Sequence, residues 1–259
     1  MKESLFYTLP IWLRWLSLFA ILGGAVWTGH RIGKRKEGGK DEVVVTSMLA
    51  LVSLVIAFTY GFTVNHYETR KRVVHDEAVA LRGAFLRADL AAEPQRTQLR
   101  EAILEYARTR VATKETLGSD GTYEGFMERT LEAQAELWPL VRQLLAEQGT
   151  SPFTLSVAAK VSTLLELHSR RVAVSFDRLP VAVLMLLVVL VSLTLGTAAR
   201  DSTTTRLSSR SRLISFAAIL SAMIAIVTDF ERGQEGFIRV SQGSLELVIQ
   251  AMEAELADS

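Results

Sequence analysis

Two stretches of this chain run for about twenty residues without a charge: Val43–Val64 (VVVTSMLALVSLVIAFTYGFTV) and Pro180–Ala199 (PVAVLMLLVVLVSLTLGTAA). A helix rises about 1.5 Å per residue and the hydrocarbon core of a bilayer is about 30 Å thick, so roughly twenty apolar residues can cross it. Both stretches are too long and too uniformly apolar for the core helix of a small domain. They read as transmembrane helices.

Two further blocks fit the same role with less margin. Leu213–Thr228 (LISFAAILSAMIAIVT) is slightly short, but Arg210 and Arg212 can snorkel at one end while Asp229 marks the other. The first block, from about Tyr7 to Thr28, is interrupted by Arg14. Trp12, Trp15 and Trp27 sit near its ends as an interfacial belt would, which places Arg14 close to a headgroup layer. A cleaved signal peptide is the rival reading of this block. The basic region MKES is thin for one, and no small-x-small cleavage site follows.

Four spans form two hairpins, closed by the short loops HRIGKRKEGGKDEV and RDSTTTRLSSRSR. The expected organisation is a first hairpin over 1–64, an extramembrane insert over 65–179, a second hairpin over 180–228 and an extramembrane C-terminal tail over 229–259. An even number of spans puts the amino terminus, the insert and the tail on one side. Basic residues are level between the two sides; short loops carry more weight under the positive-inside rule, which leans the insert away from the cytoplasm.

Composition narrows the function. Of 259 residues, 49% are hydrophobic, more than an ordinary soluble domain carries. With 29 basic and 28 acidic residues the net charge is +1, so no nucleic-acid surface is expected. The absence of cysteine removes disulfides, thiol catalysis and thiolate metal sites.

The insert reads as helical throughout, with no strand alternation. Span two continues without a breaker to about Leu90, and Val74, Ala78, Leu81, Phe85 and Ala88 recur at three and four to give a buried stripe. After the turn AAEP, a second helix carries Leu99, Ile103 and Tyr106 and ends at the glycine-rich LGSDGTYEG. A third covers about Glu124 to Glu147 with Leu131, Leu137, Trp138, Val141 and Leu145, and contains Pro139. The fourth begins at the cap Ser151-Pro152 and runs to Arg178. The predicted fold is therefore an all-α membrane protein: four transmembrane helices in two hairpins, with a four-helix extramembrane bundle between spans two and three.

Charge gathers where the insert meets the spans. His168, Arg171, Ser175 and Arg178 fall at i, i+3, i+7 and i+10 on the fourth helix, and Tyr67, Arg70, Val74 and Glu77 repeat the spacing after span two, beside Asp76. TDFERGQEGFIRV adds Asp229, Glu231, Arg232 and Arg239 after span four. The plain reading is a set of interfacial anchors and inter-helix salt bridges; the sharper one is a vestibule whose arginines concentrate anions. In either case Arg171 and Arg178 are expected to face acids, with Glu77, Asp76 or Asp229 as partners. Within span two, Ser53, Tyr60 and Thr63 are candidate pore-lining residues, against the alternative of helix-to-helix hydrogen bonding.

Catalytic signatures are missing. The four histidines form no H-x-x-x-H pair, there is no P-loop or nucleophile elbow, and consecutive residues of HDE at 75–77 point about 100° apart on a helix. No catalytic residue, metal or cofactor is expected.

HYETRKRVVHDEAVALRGAFLRADL after span two, LLELHSRRVAVSFDRLP before span three and DFERGQEGFIRV after span four resemble the bestrophin-like family of bacterial membrane proteins. Members read D-x-D-R-P in the last motif, where Glu231 and Gly233 stand here. The family takes its name from the bestrophins, oligomeric anion channels with two membrane hairpins and a helical bulk domain. What the resemblance implies is a multi-pass protein of a bacterial inner membrane, its partners the lipid bilayer, further copies of itself and inorganic anions. It also implies a cytoplasmic insert, against the charge-based lean. The alternative is a non-conducting membrane-anchored scaffold or sensor that binds a protein partner.

Overall fold

A computed structural model of the chain describes residues 10–32, 40–111, 123–177, 179–201, 207–231 and 237–258. Among them are eight α-helices and no strand: α1 (Ile11–Ile32), α2 (Lys40–Ala88), α3 (Gln95–Thr109), α4 (Tyr123–Gln148), α5 (Pro152–Phe176), α6 (Val181–Asp201), α7 (Leu207–Phe230) and α8 (Gly243–Ala257). Proline placement explains much of this segmentation. Pro10, Pro94 and Pro180 immediately precede α1, α3 and α6, and Pro152 opens α5. A helix start costs proline nothing, because the N–H it lacks has no partner there in any case. No proline falls within α2, and its 49 residues run unbroken. At α5 the cap is complete: Ser151 Oγ accepts the Thr154 N–H at 3.1 Å, and the Thr154 hydroxyl accepts the Ser151 N–H at 2.8 Å. Gly149, at φ +73°, supplies the left-handed residue that ends α4.

Among the described residues four helices are long and apolar enough to cross a membrane: α1, the apolar part of α2, α6 and α7. The chain divides into two compact units. The first comprises residues 1–67 and 177–239, and the second residues 68–176 and 240–259, so α2 contributes to both.

In the first unit, α1 packs against α6 and α7. Its buried face runs Arg14, Leu18, Leu22, Val26 and Gly29, a repeat of four, four, four and three that keeps one stripe inward. These meet Leu184, Leu187, Val191 and Leu195 of α6, Ala217, Leu220 and Ile224 of α7, and Val52 and Ile56 of α2. One crossing is very close: a Cβ on Gly29 would lie 2.2 Å from the Gly196 carbonyl oxygen. The opposite faces stay open, with Trp12, Phe58 and Leu186 each more than 60% exposed.

The second unit is helical and packed on apolar stripes. Val74, Ala78, Leu81, Phe85 and Ala88 of α2 are all buried, as are Leu99, Ile103 and Tyr106 of α3. On α4 the expected stripe needs correction. Leu137, Val141 and Leu144 are fully buried, whereas Leu131 and Trp138 are exposed. The physical reason is register: Leu131 and Trp138 are seven apart and share a face, and that face is turned away from the one carrying Leu137 and Val141. The C-terminal residues form α8, which packs on α3 through a buried face of Leu245, Ile249 and Met252. Arg108 and Glu253 join the two helices at 2.7 Å, and Arg82 pairs with Glu255.

Candidate functional site

Of the charged residues singled out in the sequence, Asp229 and Glu231 belong to a buried network inside the first unit, and Glu77, His168 and Arg171 to one inside the second. The first sits at the end of α7. Asp229, with no exposed surface, accepts Arg14 Nη2 at 2.7 Å through Oδ1 and the Ile238 N–H at 2.9 Å through Oδ2. Arg14 is equally buried, and its Nη1 donates to Thr228 Oγ1 at 3.1 Å. The Arg14 guanidinium thus turns onto a carboxylate, because a buried charge without a counter-charge would be far costlier than a paired one. Nearby, Glu231 accepts the Leu179 N–H at 2.8 Å. The His66 ring lies between Glu231 and Asp177, with nitrogen-to-oxygen separations of 3.7 and 3.8 Å.

The second network lies in the second unit. Glu77, beyond the apolar run of α2, is fully buried and accepts Arg110 Nε at 2.6 Å on one oxygen and Arg171 Nη1 at 2.5 Å on the other. Arg171 also donates to the Arg110 carbonyl at 3.4 Å. Beside them the Tyr106 hydroxyl and His168 Nδ1 are 3.2 Å apart, and both residues are buried. The electrostatics follow from this crowding. Burial pushes the Glu77 carboxyl upward, but Arg171 and Arg110 outweigh it and hold the group below the ordinary carboxylate value. His168 goes down to about 4, first through burial and then through the Arg110 charge. Burial raises the Tyr106 phenol, so it stays neutral.

Of the expected partners of Arg171, the structure brings up Glu77. Asp229 is taken by Arg14, and Asp76 is exposed on the outer side of α2. Arg70 is buried on α2. Arg178 and Arg232 lie outside the described residues. Sequence reasoning missed Arg14 as a pairing residue and Arg110 altogether, since both find their partners on distant helices and no local spacing announces them. Tyr106 was visible as a core position, but its hydroxyl partner was not.

The candidate pore positions separate in the same way. Ser53 is exposed and donates to the Leu49 carbonyl at 2.9 Å, and Tyr60 is 44% exposed with its ring edge-on to Phe230. Thr63 is fully buried against its own chain, so it does not lie on the open face with them. Among the described residues no group of three His, Asp or Glu side chains is placed to hold a metal ion.

The family profile describing the bestrophin-like domain matches residues 16–245. No curated protein matches the chain in sequence. Among solved structures, the fold is similar to that of a bacterial bestrophin homologue from Klebsiella pneumoniae solved by Zn-SAD phasing, with a TM-score of 0.65 at 11% identity over 96% of this chain and 97% of that one. A single-site variant of a bestrophin homologue from the same organism gives 0.63 at 10% identity, over 96% of this chain and 98% of the other. A further crystal structure, described as that of a membrane protein, gives 0.64 at 11% identity over 96% and 97%.

Proposed function

Because the chain belongs to the bestrophin-like family, we propose that it is an oligomeric ion channel of a bacterial inner membrane, passing inorganic anions, and that it is not an enzyme. Its plan in this reading is two membrane hairpins, residues 1–64 and 180–228, with residues 65–179 as an extramembrane bundle. The observation that carries the proposal is the unused surface of the spans. No more than 44% of any span's most apolar segment is buried within the chain, and for α2 the share is 17%. A helix buried on so little of its surface has room for lipid on one side and another copy on the other.

The conduction path follows from where the charges go. Inside the first unit Arg14 and Asp229 neutralise each other, and the core cluster of α1, α2, α6 and α7 is apolar, so the packed interior of a single chain is a poor route for an ion. A pore would form between copies, with Ser53 and Tyr60 on the open face of α2 as its lining. Thr63 is withdrawn from that role by its burial. The competing reading is a non-conducting scaffold that presents the helical bundle to a protein partner. Halide flux into liposomes bearing the purified protein distinguishes the two. The channel predicts chloride entry well above that of empty vesicles; a folded, oligomeric preparation with flux equal to empty vesicles for both chloride and potassium would refute it.

A further inference from the structure

Inside the second unit, Glu77, Tyr106, Arg110, His168 and Arg171 place two guanidiniums and one imidazole around a single carboxylate. We propose that this network is an acid-sensitive lock: protonation of His168 sets a third cation beside Arg110 and Arg171, with Glu77 as the one counter-charge among the described residues, and loosens α5 from α3.

The groups facing His168 come from three helices. They are Glu77 from α2, the Tyr106 phenol of α3 with Arg110 at that helix's C-cap, and Arg171 from α5 itself. From α4 no charged side chain among the described residues acts on His168: its Glu147 accepts from Gln95, and its buried Thr130 hydroxyl donates to the Thr109 carbonyl at 3.4 Å. Of the acids of α8, Glu253 is engaged with Arg108 and Glu255 with Arg82, and Glu246 is exposed. A protonated His168 therefore gains no new anion. Its hydrogen bond to Tyr106 can survive by reversing, with Nδ1 donating to the phenol oxygen, but the added charge sits 3% exposed with almost no water to solvate it.

The direction of the response follows by linkage. A histidine in water takes up its proton near pH 6.5, whereas the closed bundle resists protonation until well below that. Between the two values the opened form binds more protons than the closed one. Closed-state stability therefore rises with pH in that window and falls on acidification. Glu77 acts in the same sense at lower pH, because its protonation removes the counter-charge. The device is independent of conduction and would act in a channel or a scaffold alike.

The test is amide hydrogen exchange on the full-length protein in nanodiscs, corrected for intrinsic exchange, at about pH 7.5 and about pH 4.5. Wild type should show α3 and α5 exchanging about tenfold or more faster at the acid condition while α1 and α6 keep their protection, and His168→Gln should hold the change in α3 and α5 under about twofold. Three results would each overturn the proposal: wild-type protection that does not depend on pH, acceleration spread evenly over the spans, or equal acceleration in His168→Gln. Should His168→Gln fail to fold, the wild-type profile decides the matter by itself, confined loosening supporting the lock and unchanged or uniform exchange refuting it.

Discussion

Arg14 and Asp229 stand 215 positions apart, and neither has an exposed atom. Forming such a pair gives a modest net gain, because desolvating both charges offsets most of their attraction, but removing one partner strands the other without water. Asp229→Asn is therefore expected to destabilise the protein by about 3–5 kcal/mol, and Arg14→Gln similarly. Combining them should cost less than the sum of the singles, since the double variant leaves no uncompensated charge. Unfolding of the detergent-solubilised protein checks this; strictly additive losses would mean that the residues act independently. Asp229 also accepts the Ile238 N–H, so its loss should free the segment after α7 while Arg14→Gln leaves that bond in place.

Along the elements, the tightest constraint is the crossing of α1 and α6. Gly29 lies where a methyl group would meet the Gly196 carbonyl oxygen at 2.2 Å and the Ala199 Cβ at 3.0 Å. Two effects compete in Gly29→Ala. Alanine improves intrinsic helix propensity by about 1 kcal/mol, whereas forcing two helix backbones apart costs about 1–3 kcal/mol. The obstacle here is backbone rather than the end of a flexible side chain, so the clash wins and the melting temperature should drop by several degrees. Gly23 and Gly24 are internal controls on the same helix: a Cβ at either meets nothing within 4 Å, and both alanine variants should be neutral or slightly stabilising. Equal behaviour of all three would show that α1 and α6 do not cross at Gly29. Helix existence was readable in advance because proline placement, the Ser151 cap and the apolar repeats all act over three or four residues. The face of α4 was misjudged because Leu131 and Trp138 make a plausible stripe of their own, and nothing local says which of two apolar faces the rest of the chain will cover.

For the whole molecule, the proposed two-hairpin plan makes a labelling prediction that the cysteine-free sequence allows directly. Single cysteines at Glu132 in the insert and Ala257 near the C-terminus should react with an impermeant thiol reagent from one side of the membrane, and those at Gly39 and Ser208 from the other. Any pattern in which Glu132 and Ala257 differ would break the count of four crossings. By itself the sequence determined the helical class, the four apolar segments and the buried stripes of α2 and α3, because bilayer thickness and helical period act on contiguous residues. Only the tertiary structure decided that α8 joins the second unit, that Arg14 pairs with Asp229, and that Glu77 is shared by Arg110 and Arg171. Those outcomes depend on which helices become neighbours. A buried charge takes whatever counter-charge the packing brings within about 3 Å, however far away it lies in the chain.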